Sequence, residues 1–268
     1  MRVRALSDGV GIVGGCGWMG RAIARAMLAA SVLAPEDLWI SNRSGRRHAL
    51  EGWPGVHFTT DNQTLVEHCD TVLLSVRPED FPAIAVAAKG KLVISVMAQI
   101  SIDQIAEHTG AREIVRALPN AAAEIAQSYT PWFASAAVDD NGRDLVGRLF
   151  EACGLADQVP DEDQIDYFTG LTGSGPAFIA FYADAMIAAS RAAGIDATLA
   201  ERAVSQLFRG GISLLQASGQ SPAEAVQTFL DYRGTTASGL RALEDAGVAR
   251  GIAAGLDAAY RAAKSGSR

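Results

Sequence analysis

The sequence predicts an α/β chain in two parts, a doubly wound parallel sheet over residues 1–158 and an all-helical domain over residues 159–268. Three observations carry that expectation. Short apolar runs alternate with helical segments as far as Leu118, a glycine-rich turn joins the first run to the first helix, and beyond the acidic stretch at 157–163 only helical segments follow. With 268 residues, 49% hydrophobic and 20% charged, the chain can bury an ordinary core in each part.

The first strand run is Val10-Gly11-Ile12-Val13, closed by Gly14-Gly15-Cys16-Gly17-Trp18-Met19-Gly20 and followed by the alanine-rich segment 21–30. Gly15, Gly17 and Gly20 stand between strand and helix, where a tight turn lets backbone amides and a helix N-terminus approach a pyrophosphate. A glycine-rich turn without a ligand is the plainer alternative. Leu38-Trp39-Ile40-Ser41 is the second strand, ending in Asn42-Arg43-Ser44 with Arg46 and Arg47 beyond. An acid at this strand end would suit a free ribose hydroxyl; Ser41, Asn42 and Arg43 suit a 2′-phosphate, which favours NADPH and leaves NADH admissible. Arg43 is the candidate phosphate ligand, whereas Arg46 and Arg47 read as a solvated loop.

Buried-strand patterns recur at 70–76, stopped by Arg77-Pro78, at 91–96, and at 113–118, stopped by Pro119-Asn120. Between the last two, Ser101-Ile102-Asp103-Gln104 is a capping box opening a short helix that Gly110 closes. Ligands of parallel sheets sit beyond the carboxyl ends of the strands, so residues 75–78, 97–99 and 119–120 fall at the expected site. In the second part Pro176 opens a helix running to Gly194, and Thr198 to Glu201 and Ser221 to Glu224 read as two more capping boxes. Phe178, Ile179, Phe181, Tyr182, Met186 and Ile187 surround almost the whole first helix. A helix apolar on all sides must be buried on all sides, which predicts a partner subunit, although contact with the first domain would bury part of the same surface.

Other classes are disfavoured. The net charge is −7, and the Lys and Arg residues divide 14 before position 161 and 9 after it without forming a block, so no nucleic-acid surface is expected. Cys16, Cys69 and Cys153 form no Cys-x-x-Cys or Cys/His cluster, which speaks against a disulfide scaffold or a bound metal. Arg2 and Arg4 precede Ser7, Asp8 and glycines rather than an apolar core, so neither a signal segment nor a membrane span is expected and the protein reads as soluble and cytoplasmic.

Several blocks together carry a resemblance: Gly15 to Gly20, Ser41-Asn42-Arg43, Asp61-Asn62, Leu74 to Pro78, Arg116 to Asn120, Gly234-Thr235-Thr236 with the residues to Glu244, and above all Thr169-Gly170-Leu171-Thr172-Gly173-Ser174-Gly175-Pro176-Ala177. Over nearly its whole length the chain resembles the pyrroline-5-carboxylate reductases, NAD(P)H-dependent enzymes that make proline. The resemblance implies a Rossmann-type N-terminal domain, a helical C-terminal dimerisation domain, and a homodimer or ring of dimers. It implies cofactor contacts at Gly15, Cys16, Gly17, Trp18, Met19, Ser41, Arg43, Asn62, Ser75, Val76, Arg77, Pro78, Val96, Met97 and Ala98. The imino-acid site it implies comprises Glu162, Thr169, Gly234, Thr235 and Thr236.

The chain departs from the family pattern at three places. Arg77 replaces a common lysine, Met97-Ala98-Gln99 replaces Ala-Ala-Gly, and Asp231-Tyr232-Arg233 replaces Ser-Pro-Gly before Gly234. The family's serine there helps hold the substrate carboxylate; an aspartate would repel it, on the order of 1 kcal/mol at ~4 Å in water, unless Arg233 or a backbone donor compensates. Two enzymatic readings therefore stand, reduction of 1-pyrroline-5-carboxylate and reduction of another cyclic imine or small imino acid. A catalytically silent dinucleotide-binding protein is the third, and the glycine turn with Gly234-Thr235-Thr236 speaks against it.

Imine reduction asks for a hydride at the C=N carbon and a proton at nitrogen, so positioning supplies most of the effect. His48, His57, His68 and His108 all precede the helical part, on segments that read as helices or loops. Thr236 is the candidate hydrogen-bond donor to the substrate nitrogen; equally, Thr235, Thr236 or Ser238 could cap a helix. Cys16 has no partner base and reads as structural.

Overall fold

The computed structural model describes residues 9–43 and 50–266. The readings that rest on Arg2, Arg4, Ser7, Asp8, Ser44, Arg46, Arg47 and His48 lie outside the described residues. By contacts the chain divides into two compact units, one running to Pro176 and resuming at Ala258, the other Ala177–Asp257.

The first unit is built on one eight-stranded sheet: β1 (Val10–Val13), β2 (Leu38–Ser41), β3 (His57–Thr59), β4 (Thr71–Leu74), β5 (Leu92–Ser95), β6 (Glu113–Ala117), β7 (Ser128–Ala134) and β8 (Gly154–Gln158). Their order is β3-β2-β1-β4-β5-β6-β7-β8, parallel throughout except for the β6–β7 pair. Its first six strands have the order of the doubly wound dinucleotide-binding folds, in which the chain reverses direction across the sheet between β1 and β4. Alternate strand residues supply the two cores. Ile12, Leu73, Ile94 and Val115 pack on one face, while Val13, Leu74, Val93 and Ile114 pack on the other. Each fully buried branched side chain of this kind contributes about 1.5–3 kcal/mol.

Helices α1 (Trp18–Ala29) and α4 (Asp140–Glu151) cover the first face with Ile23, Met27, Leu145 and Phe150. Helices α2 (Asn62–His68) and α3 (Ile102–Thr109) cover the second with Leu65, Val66 and Ile105. Asp61 caps α2 by accepting from the Gln63 amide, and these bonds with Thr64 and Gln63 hold its carboxyl below the usual range. The capping box at Ser101 and Gln104 is present, and α3 ends at left-handed Gly110.

Three strands are not announced by apolar runs. His57 opens β3, so this histidine lies on a strand, against the expectation of helix or loop; its ring and that of His68 each stack on Trp39, at centroid distances of 4.6 and 4.3 Å. β7 contains Pro131, which ordinarily argues against an internal strand. The Pro131 carbonyl nonetheless accepts from the Leu118 amide at 2.9 Å. β8 has an exposed Leu155 as its one large apolar residue.

The break between units comes later than the expected boundary at 158. Helix α5 (Asp163–Phe168) and the π-helical turn Thr169–Gly173 remain with the sheet because Ile165 packs with Leu118 and Val159 in a small third core.

The remaining helices are α6 (Gly175–Ala192), α7 (Ala197–Ser218), α8 (Pro222–Asp231), α9 (Thr235–Asp245) and α10 (Val248–Gly266). Ser221 and Glu224 form the expected capping box of α8. The cap of α7 is Asp196, accepting from the Leu199 amide, rather than the expected Thr198, because the helix begins one residue before that threonine. No α6 residue is buried in the single chain, and Ile179, Phe181 and Met186 are exposed. No helix among the described residues is long and apolar enough to cross a membrane.

Candidate functional site

A cleft of about 440 Å³ opens at the β1/β4 switch point, where a doubly wound sheet binds its ligand. It is lined by the predicted Gly17, Ser41, Arg43, Asn62, Ser75, Val76 and Arg77, by Asn42 from the same strand end, and by Val13, Gly14, Asp80 and residues 83–85, which sequence reasoning did not assign.

The turn after β1 is shaped by two glycines. Gly14 adopts φ +79°, and a β-carbon there would lie 2.5 Å from the Ser75 carbonyl oxygen. At Gly20 a β-carbon would meet the Gly15 α-carbon at 2.8 Å, so the helix can approach the strand only without one. Gly14, outside the G-x-G-x-x-G spacing, is therefore as necessary to the turn as the glycines within it. Gly17 is the N-cap of α1 with no side-chain capping bond, and no acid stands in the first turn. The exposed amides and positive end of α1 thus suit an anion.

At the β2 end, fully buried Ser41 donates its hydroxyl to Asn62 Oδ1 at 2.7 Å, so it orients Asn62. Arg43 is 92% exposed at its side chain and faces Asp80 at 3.5 Å across the rim. Asp80 faces that guanidinium, and both Arg43 and Asn42 line the cleft at this end. Arg77 is exposed and lies 3.9 Å from Glu79.

Other predicted cofactor positions do not line this cleft. Gly15 packs under Ile40, and Met19 leans on the sheet core. Cys16 Sγ accepts from Asn42 Nδ2 at 3.2 Å, and burial raises its pKa against the opposing effects of Arg21 and Asn42. A raised pKa disfavours the thiolate, the nucleophilic form of cysteine. Trp18 is 61% exposed and donates to Glu124 Oε1 at 2.6 Å. Pro78 starts a short 3-10 helix. Beyond β5, the Met97 side chain is buried in the second core, so it can serve a ligand only through its backbone, and half-buried Ala98 packs on the third.

Gln99 has φ +68°, which explains why the resembling family carries glycine at this position. Its side chain donates to the Ala262 carbonyl on α10 at 3.1 Å, offsetting part of the strain. The second such case is Arg233, at φ +54° where the family again has glycine.

Of the predicted imino-acid residues, Glu162 and Thr169 lie in the sheet unit. Glu162 accepts from Arg116 and from the Ile102 amide, each at 2.8 Å. The Thr169 hydroxyl donates to the Ile165 carbonyl at 2.9 Å, and the residue opens the π-helical turn. π turns interrupt regular helix hydrogen bonding and recur at functional sites. Gly234, Thr235 and Thr236 lie in the helical unit at the start of α9. Gly234 is the N-cap and no side chain caps the helix, so Thr235, Thr236 and Ser238 do not take the capping role left open by the sequence. Asp231 accepts from Gln227 Nε2 at 2.8 Å, and among the described residues it makes no ion pair with Arg233. His108 is turned to the Ile84 carbonyl at 2.8 Å, and no described cluster of His, Cys, Asp and Glu could hold a metal.

A sheet of this order, with an uncapped helix opening onto a cleft at its switch point, defines a Rossmann-type dinucleotide-binding protein. Residues 9–99 match the family model described as NADP oxidoreductase, coenzyme F420-dependent, and residues 162–266 match pyrroline-5-carboxylate reductase dimerisation. The chain is 31% identical to pyrroline-5-carboxylate reductase 2 of Bacillus subtilis over 243 residues, 88% of this chain and 87% of that protein. It is 30% identical to the pyrroline-5-carboxylate reductase of Synechocystis sp. over 261 residues, 96% of this chain and 97% of that one. The solved pyrroline-5-carboxylate reductase of Coxiella burnetii superposes with a TM-score of 0.88 at 28% identity, covering 98% of this chain and 99% of that one. The chain belongs to the pyrroline-5-carboxylate reductase family.

Proposed function

We propose that the chain reduces 1-pyrroline-5-carboxylate to proline by hydride transfer from NADPH. The observation that carries this is the switch-point cleft with Arg43 at its rim, in a chain related to pyrroline-5-carboxylate reductases over almost its full length. The amides of the glycine turn, at residues 15–17, and the N-terminus of α1 bind the pyrophosphate. Arg43 binds the 2′-phosphate, and the backbone of residues 75–78 and 96–98 flanks the nicotinamide. Bound NADPH supplies the hydride. On the substrate side, the family resemblance supports Glu162 and Thr169 of the sheet unit and, separately, Gly234, Thr235 and Thr236 of the helical unit as imino-acid residues, with the Gly234 and Thr235 amides for the carboxylate and the Thr236 hydroxyl as the donor to the ring nitrogen.

The test is NADPH oxidation by purified protein across a panel of cyclic imines, in which 1-pyrroline-5-carboxylate is expected to be the best substrate. One observation favours the second reading, another cyclic imine: Asp231 is tied to Gln227 and has no ion pair with Arg233. A panel in which a ring lacking the carboxylate wins by about tenfold, worth ~1.4 kcal/mol in transition-state affinity, would decide for it.

NADPH should be preferred over NADH, and Arg43→Ala should weaken NADPH about tenfold while sparing NADH, since a charge-assisted bond to phosphate contributes ~1.5–3 kcal/mol. Equal loss for both cofactors in a fluorescence titration would remove Arg43 from that role. The exposed Ile179, Phe181 and Met186 of α6 support a homodimer through the helical unit, with rings of dimers as a further step. Light scattering should give a dimer or larger species, and a stable active monomer would contradict it. A cytoplasmic location belongs to this reading, and no described helix is long and apolar enough to cross a membrane.

A further inference from the structure

Arg116 is the largest fully buried side chain of the described residues, 1% exposed in the middle of the sheet unit. Its Nη1 donates to Glu162 Oε1 and its Nη2 to Asp166 Oδ1, both at 2.8 Å, while Nε has no partner. A buried guanidinium is tolerated only when paired, and its planar fork is the one side chain that can hold two carboxylates in fixed directions. The Glu162 oxygen that takes Arg116 also accepts from the amide of Ile102, the first residue of α3. Ile102 follows Ala98 by four positions, and Asp166 precedes Thr169 by three. Ala98 and Ile165 come together again in the small core of Leu118 and Val159. One side chain on β6 therefore ties the segment after β5 to the helix that leads into the π turn.

We propose that Arg116 is a positioning residue for hydride transfer: by gripping Glu162 and Asp166 together it fixes the Thr169–Gly173 turn relative to the 96–99 segment. It thereby sets how the imino acid faces the nicotinamide. The proposal rests on the functional reading above for its kinetic consequence, and on the ion triad for its structural one.

The test is Arg116→Lys in the full-length protein, because a lysine carries the charge but reaches one carboxylate at a time. Hydrogen exchange of amides 163–173 is expected to accelerate about tenfold, with β1 and α1 unchanged. Turnover of 1-pyrroline-5-carboxylate, as kcat/KM, is expected to fall about 100-fold through misplacement of the reacting atoms. The NADPH dissociation constant should stay within about twofold, far less than the ~1.4 kcal/mol of a tenfold change. Glu162→Gln, which loses the charge but keeps the shape, should move both readouts the same way by less, and it serves if the lysine variant does not fold. Unchanged exchange at 163–173, exchange raised evenly across the sheet, or NADPH affinity falling in step with kcat/KM would each overturn the proposal. If the unmodified protein leaves 1-pyrroline-5-carboxylate untouched, the functional reading fails, while the exchange arm still decides whether Arg116 holds the turn.

Discussion

Gly14→Ala is expected to cost about 3 kcal/mol of unfolding free energy and to abolish NADPH binding, from the sum of a left-handed backbone and overpacking. The added β-carbon meets the Ser75 carbonyl oxygen at 2.5 Å and the Ser75 carbonyl carbon and Val76 Cγ1 at 3.0 Å. Neither backbone atom can rotate away. Gly14 follows β1 and Ser75 follows β4, so the relief must part the two strand ends that bound the cleft. Gly17→Ala is the control for stability alone: Gly17 has φ −66°, and its β-carbon would lie 3.1 Å from the Gly14 carbonyl oxygen, a contact that a small shift relieves. Urea denaturation and NADPH fluorescence titration read the two effects. An alanine variant at 14 with wild-type midpoint and affinity would show that the turn tolerates a side chain.

Why Gly14 escaped the motif and Gly20 did not shows where sequence reading stops. Gly20 is recognised by its spacing from Gly15 and Gly17, which is a local property of one strand, turn and helix. The need for glycine at 14 comes from Ser75, a neighbour only after β4 has paired with β1. The same division runs through the fold. The strands of 10–13, 38–41, 70–76, 91–96 and 113–118 are legible because burial on both faces demands continuous apolar runs. β7 and β8 are not, because Pro131 breaks one pattern and the other is largely exposed. Pairing 46 and 50 residues apart in sequence is likewise invisible locally, so Arg116 is legible as part of a strand run and of a family motif while its grip on Glu162 and Asp166 is not. Ser41 reads as a phosphate contact from its chemistry and from the resemblance; in the structure it lines the cleft, and the bond its hydroxyl donates to Asn62 is not visible in the sequence. Gln99 and Arg233 are the converse case. Their departure from glycine was visible in the sequence, and the positive φ that makes the departure costly was not.

Thr236→Ala is expected to lower kcat/KM about 100-fold, the usual consequence of removing one preorganised donor from a transition state. Thr236→Ser, which keeps the hydroxyl, should lose far less. The sequence alone leaves this threonine divided between contact with substrate and capping of a helix. The structure gives α9 the N-cap Gly234 with no side-chain capping bond, and the exposed Thr236 hydroxyl makes no hydrogen bond among the described residues. Alanine at 236 therefore removes no cap, and its higher helix propensity favours the fold, so unfolding stability should stay within ~0.5 kcal/mol of wild type. That separation is what makes the variant informative: activity and stability should part company. The KM for 1-pyrroline-5-carboxylate should rise less than kcat falls, because a bond to the nitrogen strengthens as hydride reaches the adjacent carbon and the nitrogen gains electron density. The change leaves in place the Gly234 and Thr235 amides, which are proposed above to hold the carboxylate. If Thr236→Ala keeps kcat/KM within about threefold of wild type, less than ~0.7 kcal/mol, the proton at nitrogen must come from elsewhere, and solvent held at the start of α9 becomes the donor to test.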